Sequence, residues 1–206
     1  MNTAQNHLRK RFRWIEILLW IAGCAALAYC VFVVADASIT QARLAQSLRQ
    51  ARESMDHKPA IAGDHTNIPY KNTGTIRTGL VGQLEIASVG LSAMVLEGVG
   101  SRTMRVAVGH VPGTPKPGQP GNVALAGHRD TFFRPLRQIR INDEISVDTR
   151  LQTFHYRVTS TEIVNAHDVA VLESHHKDEL TLITCYPFSY IGPAPKRFIV
   201  HADLIG

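Results

Sequence analysis

Between Ile17 and Ala35 the chain carries no charge, 19 mostly apolar positions in a row. At a rise of about 1.5 Å per residue, a helix of that length comes close to the roughly 30 Å hydrocarbon thickness of a bilayer. One membrane-spanning anchor over residues 14–36 is expected. Next, Leu44, Leu48, Ala51 and Met55 recur at i, i+4, i+7 and i+11, the stripe of a juxtamembrane helix over residues 37–55. That stripe covers barely two heptads, so a solvated spacer is expected rather than a dimerising seam. Residues 56–78 lose periodicity and collect Pro59, Gly63, Pro69, Asn72 and Gly74, the composition of a flexible linker.

Beyond Gly79 the pattern changes to short strands, at Val81–Ile86, Ser92–Leu96, Asn122–Ala126, Glu144–Val147, Thr153–Val164, Leu180–Cys185 and Arg197–Ala202. In the fifth, Phe154, Tyr156 and Val158 alternate with His155, Arg157 and Thr159. Brief helical patches fall near Thr103–Val108 and Thr131–Arg137, and Pro112–Gly121 is a Gly/Pro-rich loop. Many short strands with turn signals between them indicate a mainly β domain over residues 79–206, closed or nearly closed into a barrel, although a sandwich has the same periodicity. This domain is expected to fold on its own.

Charge sharpens the division. The formal net charge is +5, with 10 Lys+Arg against 5 Asp+Glu in residues 1–78 and 12 against 12 in residues 79–206. The excess therefore belongs to the N-terminal region, and a neutral domain without a basic stripe argues against nucleic-acid binding. Arg9, Lys10, Arg11 and Arg13 form a basic tail over residues 1–13, which should stay cytoplasmic and leave everything after Asp36 outside. Ala35-Asp36-Ala37 and Ile21-Ala22-Gly23-Cys24 resemble processing sites, but the apolar run is long for a signal peptide, so an uncleaved anchor is preferred.

Two of the three cysteines, Cys24 and Cys30, lie in the anchor, which leaves Cys185 alone in the folded domain. A thiol without a disulfide partner outside the cytoplasm points to a nucleophile, with buried structure as the bland alternative. If the strands ending at Cys185 and beginning at Arg197 pair as a hairpin, the two residues face each other, and a permanent cation favours both thiolate and bound anion. A thiol nucleophile also needs an imidazole. Of ten histidines, His128 stands out because it follows Val123-Ala124-Leu125-Ala126 and Gly127 at a strand exit. His110 and His167 fall in expected loops, His155 and His201 within strands, and His175 and His176 in a polar segment.

Gly127-His128-Arg129-Asp130, Thr181-Leu182-Ile183-Thr184-Cys185 and Arg197 stand in the order found in sortases, membrane-anchored cysteine transpeptidases, which the chain resembles from about Gly79 onward. The fuller strings Gly109-His110-Val111-Pro112-Gly113-Thr114, Ala126–Phe133 and Cys185-Tyr186-Pro187-Phe188 look most like class D, and the linker lacks the Asp-Pro-aromatic lid of pilus-polymerising relatives. The resemblance implies an eight-stranded barrel and a triad of His128, Cys185 and Arg197. It implies a thiolate that cleaves a C-terminal Leu-Pro-x-Thr-Gly-like sorting signal through a thioester, which an envelope amine then resolves at the bacterial cell membrane. Cys185 would be nucleophile, His128 general acid and Arg197 the donor to substrate or oxyanion. Thr184 either lines the substrate groove or fills the barrel core. Asp130 either orients His128 or caps the short helix after it. No cofactor and no metal are expected. A tethered cysteine protease that only hydrolyses, or a non-catalytic envelope-binding barrel with a structural Cys185, are the competing readings.

Overall fold

The computed structural model describes residues 3–56, 79–173 and 177–205, so the expected linker, His175 and His176 lie outside the described residues. Helix α1 spans Thr3–Asp56, and the chain divides into two compact units, Met1–Ile39 and Thr40–Gly206. The first is helical. Nearly all its side chains from Leu18 to Val34, among them Trp20, Leu27, Phe32 and Val34, are exposed, and the helix contains a window of mean hydropathy 2.5. It is long and apolar enough to cross a membrane.

In the second unit eight strands form a closed barrel: β1 Leu80–Ile86, β2 Leu91–Glu97, β3 Val108–His110, β4 Asn122–Ala126, β5 Glu144–Asp148, β6 Thr153–Asn165, β7 Glu179–Tyr186 and β8 Lys196–Leu204. Around the wall they run β1-β2-β3-β4-β7-β8-β6-β5, and β5 pairs back onto β1. The pairs β2/β3 and β4/β7 are parallel and the others antiparallel. Closure satisfies every edge. Inward positions at every second residue, including Leu84, Ile86, Val123, Leu125, Val147, Tyr156, Leu180, Leu182 and Val200, make one continuous buried core.

The seven expected strands are present with ends shifted by no more than two residues, and β3 is the addition. His110, expected in a loop, is the last residue of β3 and is fully buried, while the helical turn before it, α2, covers Ser101–Val106. A three-residue strand containing Gly109 is too short to show alternation. After β3, the Pro112–Gly121 loop folds back over the barrel end. Gly118 has φ +85°, and a Cβ there would come within 2.2 Å of the Phe154 ring, so only glycine lets the loop lie this close.

The spacer expectation does not hold for the first half of the stripe. Leu44 and Leu48 are buried against Leu80, Met94 and Leu96. The Gln41 side chain accepts a hydrogen bond from the Met94 amide (2.7 Å) and donates to the Val106 carbonyl. Arg52 holds both carboxylate oxygens of Asp148, at 2.8 and 3.0 Å. Strand β2 explains this: Leu91, Ala93 and Val95 face the core, yet Met94 and Leu96 on the outer face are apolar too. A strand apolar on both faces needs a second layer, and the helix supplies it.

Candidate active site

Cys185 and Arg197 are direct cross-strand partners in the β7/β8 ladder, as the hairpin reading requires. Opposed residues share a face with Cβ atoms about 4.5–5.5 Å apart, so thiol and guanidinium project on the same outer face of the wall. Their neighbours Thr184 and Phe198, one position on, point to the other face. Cys185 is half-buried and has no disulfide. Arg197 donates through Nη1 to the carbonyls of Ala194 (3.2 Å) and Lys196 (3.0 Å), which anchors it by one nitrogen and leaves Nε and Nη2 without a hydrogen bond among the described residues.

His128 arrives from the next strand over. Strands β4 and β7 run parallel with Ala126 opposite Ile183, so both exit at the same end of the barrel. Past the ladder, the Gly127 amide donates to the Ile183 carbonyl (3.1 Å), and the Thr184 hydroxyl donates to the Gly127 carbonyl (2.8 Å). The residue before His128 is thereby tied to the two residues that precede Cys185. Thr184 is 2% exposed, its side chain occupied by this tie. Gly127 is required by close approach, since a Cβ would stand 2.7 Å from the buried ring of Phe133.

The His128 ring is exposed and makes no hydrogen bond among the described residues. By contrast, His110, His155 and His201 pair with Glu97, Glu144 and Glu162 at 2.9–3.1 Å. Their imidazoles are engaged in the wall, whereas that of His128 has no such partner among the described residues. Asp130 is 72% exposed and lies 3.4 Å from the Nε of Arg129; among the described residues it neither bonds to His128 nor caps a helix. The short turn that follows begins at Phe133, too late for Asp130 to serve as its cap.

Two features beside the thiol escaped the sequence reading. Tyr186, Phe188 and Phe198 form an aromatic cluster with ring centroids 5.4–6.4 Å apart, directly behind Cys185. Arg129, next to His128, is buried and reaches across to the β7–β8 connection. The aromatic spacing Tyr186, Phe188 was visible, but its partner on β8 follows only from the register.

A sortase-domain family model matches residues 84–205. The chain belongs to the sortase family. Sortases are cysteine transpeptidases, and this chain is an enzyme of that kind. Sortase D of Bacillus subtilis (strain 168) is 31% identical over 196 residues, covering 93% of this chain and 98% of that relative. This near full-length match bears out the class D likeness of the motifs. Sortase A of Bacillus anthracis is 30% identical over 139 residues, covering 66% of this chain and 64% of its own. Among solved structures, the Clostridium perfringens Sortase D5 transpeptidase superposes with a TM-score of 0.61 at 22% identity, covering 82% of this sortase and 98% of that chain, a likeness of fold. Listeria monocytogenes sortase A gives 0.56 at 26% identity, over 62% and 88%.

Among the described residues no three His, Cys, Asp or Glu side chains gather as metal ligands. A concavity of about 600 Å³ lies between Thr114, Pro120, Leu172 and Lys177. It sits where β4 and β7 begin, the opposite end from Cys185, and shares no residue with the His128, Cys185 and Arg197 group.

Proposed function

We propose that this sortase cleaves a C-terminal Leu-Pro-x-Thr-Gly-like sorting signal and transfers the shortened protein to an amine of the cell envelope. The observation that carries the site assignment is the register pairing of Cys185 with Arg197, beside the strand exit bearing His128. The Cys185 thiolate adds to the scissile carbonyl, and the tetrahedral oxyanion is met by the open edge of the Arg197 guanidinium. His128 gives its proton to the leaving amine as the C–N bond breaks, which leaves a thioester. The acceptor amine then attacks the thioester, surrenders a proton to His128 and expels the thiolate. Thr184 acts by fixing the two strand ends, and Asp130 balances the charge of Arg129.

The same reading makes the apolar helix a single-pass anchor, with Arg9, Lys10, Arg11 and Arg13 in the cytoplasm and the barrel outside. The full chain in detergent, incubated with a library of sorting-signal peptides, should show an acyl-enzyme by mass spectrometry and a new amide when an amine is added. Cys185→Ala should abolish both, while Cys24→Ala and Cys30→Ala leave them unchanged. Hydrolysis undiverted by any amine would support a protease instead, and turnover by Cys185→Ala would end the nucleophile assignment.

A further inference from the structure

Arg129 sits one residue after His128 and is only 7% exposed, an unusual place for a guanidinium. Its Nη1 donates to the Pro187 carbonyl (3.0 Å), and its Nη2 donates to the carbonyls of Tyr190 and Gly192, the latter at 3.1 Å. The guanidinium carbon lies 5.8 Å from the centre of the Tyr190 ring. Asp130 Oδ1 is 3.4 Å from Nε, near enough for charge attraction, yet Nε–H has no aligned acceptor among the described residues. The guanidinium is therefore hydrogen-bonded only by carbonyl oxygens of one connection among the described residues, the stretch between β7 and β8 that begins two residues after the thiol.

We propose that Arg129 is a positioning residue that locks the β7–β8 connection to the His128 turn, and thereby sets how a peptide substrate is held between imidazole and thiol. This deepens the transpeptidase reading and rests on it. Arg197 grips the same connection from its far end, through the carbonyls of Ala194 and Lys196. Two guanidiniums thus hold one connection, Arg129 at residues 187–192 and Arg197 at residues 194–196. The carbonyls of Tyr190 and Gly192 flank Ile191, which is 96% exposed, so the loop turns its apolar tip outward while its backbone turns inward. The planar fork spreads its donors over two nitrogens, Nη1 for one carbonyl and Nη2 for the other two. Lysine, with all its donors on one nitrogen, lacks that span.

Loosening this lock moves the wall of the site without touching the thiol or the imidazole. A shift of about 1 Å in such a wall is enough to lower a rate about a hundredfold. The test uses the full chain in detergent, with Arg129→Met, Arg129→Lys and an insertion of two glycines after Ile191, which separates the gripped carbonyls from the loop side. Arg129→Met should lower kcat/KM for a sorting-signal peptide about tenfold or more, and Arg129→Lys should recover part of the loss. Alkylation of Cys185 by iodoacetamide should change less than about threefold, because that small reagent needs no wall. Amide hydrogen exchange at residues 188–192 should quicken in both Arg129→Met and the insertion. Combining the two should add little to either alone, since each breaks the same lock. Unaltered exchange in that segment, or losses that multiply in the combined variant, would overturn the proposal. If the parent transfers no peptide at all, the transpeptidase reading fails, while the exchange measurement still decides whether Arg129 holds the connection.

Discussion

Arg197 is bound by a single nitrogen to two backbone carbonyls, and the remaining edge of its planar fork is what an oxyanion can use. Lysine keeps the charge but cannot hold the connection and the substrate together. Arg197→Lys should therefore lower peptide acylation about a hundredfold or more, the typical effect of losing an oxyanion donor, while alkylation of Cys185 changes little. Full transfer activity in that variant would show that a point charge suffices. A second residue-scale prediction concerns Tyr156, whose hydroxyl is pushed up from 10.0 to about 12 by burial and then by the nearby Asp178 carboxylate, against a smaller opposing effect of a hydrogen bond with the Gly118 backbone. The unfolded chain gives up this proton near pH 10, whereas the folded barrel keeps it until about pH 12, so stability is intact below pH 10 and declines through that window. The loss is on the order of 2 kcal/mol. In alkaline denaturation curves, Tyr156→Phe should lack this part of the slope between pH 10 and 12. Parallel curves for the two proteins would place the alkaline sensitivity elsewhere.

Among the elements, the stretch of helix from Thr40 to Arg52 behaves as part of the barrel rather than as a spacer. Burying Leu44 and Leu48 is worth about 1.5–3 kcal/mol each, a sizeable share of the roughly 5–15 kcal/mol that holds a domain together. A chain starting at Gly79 uncovers Leu80, Met94 and Leu96, whereas one starting at Thr40 keeps them covered. The shorter chain should melt about 10 °C lower or more, or aggregate, in thermal scans run side by side. Equal melting temperatures would mean that the packing contributes nothing. The stripe Leu44, Leu48 could be read as helical from spacing alone. What it packs on could not, because Met94 and Leu96 declare an apolar outer face only once β2 has an inside. Similarly, β6 was legible from the alternation of Phe154, Tyr156 and Val158. β3 was not, since Val108-Gly109-His110 is shorter than one period of evidence for either helix or strand.

At the scale of the whole molecule, the proposed site residues His128, Cys185 and Arg197 stood out in the sequence because each lies at or just past a strand end, where apolar alternation stops and a chemically reactive side chain begins. Their juxtaposition needed the topology: the parallel neighbourhood of β4 and β7 depends on a crossover through β5 and β6 that no local pattern encodes. Arg129 was within a recognised motif, yet its reach to Pro187, Tyr190 and Gly192 is a contact between residues some 60 positions apart. The same arrangement decides which strands close the wall. Strands β7 and β8 follow every other described strand in the chain but lie in the middle of the wall, with β4 on one flank and β6 on the other. Without these two strands the edges of β4 and β6 would have no partners. The hairpin that sets Cys185 opposite Arg197 is therefore also the piece that closes the wall, so catalytic register and barrel integrity rest on the same two strands.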